Sequence, residues 1–175
     1  MPLTSPKIVY LLFFFSGTAG LIYEIVWGRL LVLIFGSTTN SIVAVISAFL
    51  GGLAIGSLIA GQIADRLSGK KLIKTYSFLE IGIGLSAAST LILLETIKST
   101  YALFSDGSSV TLTLLFIKFA LTIFVLSIPT ILMGATLPIL VRFAESENQS
   151  LGKSVSLLYA TNTIGGVVGV LISAF

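Results

Sequence analysis

The 175-residue sequence contains neither cysteine nor histidine. Without cysteine there is no disulfide framework, no thiol nucleophile and no redox signal of compartment. Without histidine the chain lacks the commonest general base and metal ligand near neutral pH. Charge is scarce as well, with ten Lys or Arg and seven Asp or Glu making up 10 % of the residues. No Ser/His/Asp, Cys/His or metal-ligand cluster can be assembled from so few groups, so no catalytic site, metal site or cofactor is expected in this chain. Hydrophobic residues fill the space instead. They make up 55 % of the sequence and the mean hydropathy is +1.09, so a soluble globule would leave large apolar areas in water. The expected solvent is lipid.

The segment from Ser41 to Lys74 organises the rest. SIVAVISAFLGGLAIGSLIAG is about 20 residues of apolar, glycine-rich sequence, enough to cross a ~30 Å hydrocarbon core as a helix. Gly52 and Gly56, four apart, present a small surface on which another helix can pack closely. The run then passes into QIADRLSGKKLIK, where Arg66, Lys70, Lys71 and Lys74 face a single acid, Asp65. The positive-inside rule places that end in the cytoplasm. Five spans follow from the same reading, at about residues 8–35, 41–62, 72–94, 110–143 and 154–175, as one all-α polytopic transmembrane bundle in the plasma membrane. The N-terminus is then expected inside and the C-terminus outside. Seven of the ten cations fall in the segments so placed at the inner surface, so topology accounts for the basic balance and nucleic acid is not an expected partner.

Residues 1–7 read as a polar leader, 95–109 as a polar outer loop, and 142–153 as a second inner loop. Lys7 followed by an apolar block and small residues also imitates a secretory signal, but apolar sequence continues well past Gly20 and favours a long first span. Pro129 and Pro138 interrupt the fourth span and are expected to bend it. Gly165 and Gly169 form a packing surface in the fifth. An odd number of spans leads to the expectation of an incomplete unit, either a fragment or one partner of an assembly.

Ionisable groups inside spans are costly and usually find partners, so they are the candidates for function. Glu24 shares a helical face with Gly17, Gly20 and Gly28, which is expected to pack inward. Counting residues from the outer ends brings Lys118 to nearly the same depth, so a Glu24–Lys118 ion pair is expected. Arg29 lies near the outer end, where it can snorkel, with Trp27 and Tyr23 as interfacial anchors. Glu80 has no evident cation at its depth except Arg142 or Lys74. Asn162 shares a face with Tyr159, Gly165 and Gly169, where it can hydrogen-bond a neighbouring helix or contact a ligand.

Two resemblances attach to these residues. Gly61, Asp65, Arg66, Gly69, Lys70 and Lys71 resemble the loop signature of the major facilitator superfamily, with one extra residue between Arg66 and Gly69, and the spans resemble part of a major-facilitator N-terminal half. SGTAGLIYEIVWGRLLVLIFGST (16–38), IPTILMGATLPIL (128–140) and LYATNTIGGVVG (158–169) resemble the membrane region of bacterial and archaeal spermidine-synthase-like proteins. That resemblance implies a membrane module that accompanies a soluble aminopropyltransferase domain. It also implies that the module binds or moves a polyamine or other small cation, with Glu24, Glu80, Lys118, Asn162, Tyr23 and Trp27 as candidate contacts. The glycine-rich loop and acidic residues of the family's catalytic half are absent, because Gly51, Gly52 and Gly56 are embedded in an apolar helix and follow no strand. Besides the bilayer, the expected partners are further copies of the chain or a soluble synthase-type domain. A small oligomeric facilitator-type transporter and a scaffold without transport both stay open.

Overall fold

Apolar runs that face lipid can satisfy their backbone hydrogen bonds only within each segment or in a closed barrel. The computed structural model, which describes residues 6–36, 39–104, 112–147 and 150–175, takes the helical solution throughout. It contains α1 (Pro6–Phe35), α2 (Thr39–Ala64), α3 (Lys70–Phe104), α4 (Leu112–Ser146) and α5 (Leu151–Ser173), with no strand among the described residues. Each helix is long and apolar enough to cross a membrane. The outward surface agrees, since Leu33 is 80 % exposed and Phe78 and Ile92 are each 74 % exposed. In water such a surface would aggregate. The protein is a multi-pass membrane protein.

The turns are short. Gly36, with φ 84, closes α1 in the left-handed conformation that glycine adopts without a Cβ clash. Gly69, with φ 48, precedes α3 at the basic loop, where Leu72 N donates to its carbonyl at 3.1 Å. Asp65, Arg66, Lys70 and Lys71 are all exposed there. Residues 1–5 of the expected leader, residues 105–109 of the outer loop with Asp106, the start of the fourth span at 110–111 and residues 148–149 lie outside the described residues. Residues 95–104, expected as loop, are helical instead. Leu94 and Ile97 are buried in the core, so the apolar stripe of α3 extends beyond residue 94. Arg142, expected in the inner loop, lies within α4 and pairs with Glu145.

Helix α4 continues through both prolines. Each proline removes a backbone donor, and nearby hydroxyls engage carbonyls of the same helix: Thr130 Oγ1 donates to Leu126 O at 2.6 Å, Ser127 Oγ donates to Ile123 O, and Thr136 Oγ1 donates to Met133 O at 2.7 Å. Buried Thr90 and Thr122 bond in the same way, to Ala87 O at 2.6 Å and Lys118 O at 2.8 Å.

Helix α2 packs chiefly on α4, α1 on α5, and α3 on the flank of α4. Glycine brings both main pairs together. A Cβ at Gly56 would meet the Ile131 carbonyl, one at Gly52 the Thr130 side chain, and one at Gly134 the Leu53 backbone. In the other pair, a Cβ at Gly17 would meet Asn162, one at Gly165 Phe14 O, and one at Gly169 Thr18 O. With little hydrophobic drive between helices in lipid, such backbone contact carries much of the association. The two pairs touch each other more sparingly. The core is correspondingly split. Val9, Phe13, Ala60, Leu72, Tyr76, Ile139, Leu140 and Leu158 form a cluster toward the basic loop. Trp27, Leu31, Phe35, Val45, Phe49, Ala87, Leu126 and others form a second cluster toward the opposite end.

Candidate functional site

Between the two clusters, where the α1–α5 pair faces the α2–α4 pair, lies a cleft of about 260 Å³. Small side chains open it: Ser16, Gly17 and Gly20 from α1, Ser57 from α2, and Gly134 and Thr136 from α4. Phe13, Phe49 and Leu53 supply apolar wall, and Tyr159 and Asn162 enter from α5. Tyr159 is 64 % exposed and therefore marks the mouth. This composition, mostly apolar with a few convergent polar groups, suits a small organic molecule.

Behind Ser16 lies an acid. Tyr76 on α3 is 4 % exposed, and its hydroxyl lies near Glu80 one turn along the helix and near Ser16 across on α1. Neither contact reaches an aligned hydrogen bond, so Tyr76 Oη and Glu80 Oε1 are buried with their hydrogen-bonding capacity unused. A buried polar atom left in that state costs about 1–3 kcal/mol. Glu80 does not line the cleft itself; Ser16 does, and Tyr76 bridges the two. The i,i+4 spacing of Tyr76 and Glu80 was visible in the sequence as a same-face pair. Their approach to Ser16 was not, because it depends on how α3 is rotated against α1.

The other candidates fall elsewhere. Glu24 and Lys118 do not pair: Lys118, 4 % exposed, donates from Nζ to the Phe35 carbonyl at 2.7 Å. The last carbonyls of a helix have no intrahelical donor and form the negative end of its dipole, so the end of α1 attracts a buried cation. Glu24 instead lines a separate groove of about 320 Å³ between α1 and α2, together with Gly28, Arg29, Ile42 and Ile46. Of the glycines on its face, Gly17 packs tightly, whereas Gly20 and Gly28 border open space, so that face is only partly inward.

Trp27 is not an interfacial anchor. It is 2 % exposed, stacks on Tyr23 at 5.4 Å between ring centroids, and donates from Nε1 to Thr90 Oγ1 at 2.8 Å. The Thr90 hydroxyl passes the chain on to Ala87 O. A buried indole N–H needs such an acceptor, which holds the ring in the bundle rather than at its rim. Thr90→Val should therefore cost about 1–3 kcal/mol by orphaning the indole. Because Trp27 is the sole tryptophan, its emission reports the change directly: a blue shift is expected, and an unchanged spectrum would mean that the hydrogen bond is absent in the membrane.

Asn162 lines the cleft and makes no side-chain hydrogen bond among the described residues, so the interhelical tie is not made and the residue borders the cleft instead. Asp65, at the basic loop, acts electrostatically on Arg142 at the end of α4. No group of three or more His, Cys, Asp or Glu that could hold a metal occurs among the described residues. No protein-family description, curated protein or solved structure matches the chain.

Proposed function

We propose that this chain is the membrane module of a spermidine-synthase-like protein and that its mid-span cleft binds a polyamine or another small organic cation. The observation that carries this reading is the buried, unbonded Glu80 oxygen behind Tyr76 and Ser16. Held at that depth, the carboxylate is a negative charge close behind the cleft wall, stabilised either by a proton on itself or by a cation in the cleft. The hydroxyls of Ser16, Ser57 and Thr136 and the amide of Asn162 supply acceptors for the ammonium protons. The phenyl rings of Phe13 and Phe49 and the side chain of Leu53 suit a methylene chain. In this reading Ser16 and Tyr76 stand between the cation and Glu80, whose negative charge attracts it across them, and the aminopropyl chemistry belongs to a soluble synthase-type domain, fused or separate. The basic loop faces the cytoplasm of the plasma membrane, which puts the N-terminus inside and the C-terminus outside.

The test is equilibrium binding of labelled spermidine to the full chain in liposomes. Glu80→Gln keeps the shape and removes the charge, and should weaken binding about ten- to a hundredfold, the worth of one nearby opposite charge in a low-dielectric site. Asn162→Leu, which closes part of the cleft, should also weaken it. Native Trp27 emission confirms that both variants are folded. Wild-type binding by Glu80→Gln would discard the cation site and leave a scaffold. Spermidine uptake driven by a proton gradient and lost with Glu80 would identify a transporter.

A further inference from the structure

Two charges inside α1, Glu24 and Arg29, have no partner among the described residues. Glu24 is half-buried and Arg29 exposed, and neither makes a hydrogen bond or ion pair with any described residue. Both line the same groove against α2 together with Gly28, beside which a Cβ would find nothing within 4 Å. Glu24 left alone at membrane depth costs about 2.5 kcal/mol or more on insertion scales, and Arg29, nearer the outer end, is a long cation able to reach it from a second chain, so an arrangement that pairs them is favoured. They cannot easily pair with each other, since a separation of five residues points them about 140° apart around one helix.

We propose that this groove is the contact surface for a second copy of the chain, in which Glu24 of each copy pairs with Arg29 of the other. A two-fold axis along the membrane normal makes the patch self-complementary, because the acid on one copy faces the base on its mate and the reverse pair forms at the same time. The axial offset of the two residues is about 7.5 Å. Side chains on a helix lean toward its N-terminus, so Arg29 leans down toward the level of Glu24 and the long guanidinium arm can close the remaining distance. Gly28 lies between the two charges and leaves room for the opposing helix to approach closely. The groove follows directly along α1 and α2 from the cleft, so the same contact would cover one side of it; the pairing itself does not depend on what the cleft binds.

The absence of cysteine makes the test clean. Ile25→Cys places a single thiol in the groove of the full chain, and Leu85→Cys places one on the exposed flank of α3 as a control. In membranes treated with an oxidant, Ile25→Cys should form a disulfide-linked species of twice the chain mass and Leu85→Cys should not. Adding Glu24→Arg should lower the linked fraction on the order of tenfold. Adding Glu24→Arg and Arg29→Glu together should restore it, because the swapped charges again complement each other across the axis. Mixing donor- and acceptor-labelled copies and reading energy transfer gives the same comparison without a thiol bond, and Trp27 emission separates lost association from lost folding. Equal linking at Leu85, no recovery in the double variant while Trp27 emission is native, or linkage to a protein of different mass would each overturn the proposal.

Discussion

Gly56→Ala is expected to destabilise the bundle by about 3 kcal/mol, as overpacking does when nothing can move aside, while Gly51→Ala on the same helix should be neutral or stabilising. The added Cβ at Gly56 would run into the Ile131 carbonyl, which is backbone of α4 and cannot rotate away. The helices must then separate, and the contacts at Gly52 with Thr130 and at Gly134 with Leu53 loosen together because all three lie along one interface. At Gly51 the new methyl meets nothing within 4 Å, and replacing glycine by alanine inside a helix is worth up to about 1 kcal/mol in propensity. Thermal unfolding in detergent, followed by Trp27 emission, distinguishes the two. Equal effects at both positions would mean that α2 and α4 are not in backbone contact. Val in place of Ala at Gly56 should leave little folded protein.

The second large effect is expected at Lys118. Lys118→Met should cost about 1.5–3 kcal/mol, because the Phe35 carbonyl loses a charged donor while remaining buried. Lys118→Glu should cost more, since a carboxylate would then face the negative end of the α1 dipole in a site closed to water. Lys118→Arg should retain part of the stability, because its N–H groups can still reach a carbonyl. The yield of monodisperse protein after extraction, together with the unfolding midpoint, should rank wild type, Arg, Met and Glu in that order. A Glu variant as stable as the Met variant would mean that the Phe35 carbonyl is not what Lys118 serves. None of these substitutions should alter spermidine binding unless the protein unfolds, whereas Glu80→Gln should do so with the fold intact.

All five helices are legible in the sequence, because lipid leaves the chain little choice. The long apolar run from residue 41 to 61 and its basic border are enough to identify a span, and the four-residue spacing of Gly52 with Gly56 and of Gly165 with Gly169 is enough to mark a packing face. The end of α3 is not legible there, because hydropathy falls at Glu95 although Ile97 is still buried. Nor is anything that depends on a second helix. Counting residues from span ends matched Glu24 with Lys118, but that count ignores the reach of a lysine side chain and the pull of unpaired carbonyls at the end of α1. Amphipathic character alone points Trp27 to the interface, whereas Thr90, 63 positions away in sequence, gives the indole its acceptor inside the core.

Composition, span length and glycine spacing thus determined on their own that this is a five-helix membrane protein with close-packed helix faces, since those properties are local and lipid enforces them. Tertiary structure alone decided which glycine meets which backbone, that Lys118 serves the end of α1, and that Ser16, Tyr76 and Glu80 converge beside a cleft while Glu24 and Arg29 stay unpaired on the flank. The reason is geometric. A change in the rotation or axial position of one helix leaves its hydropathy unchanged and exchanges every side-chain partner it has.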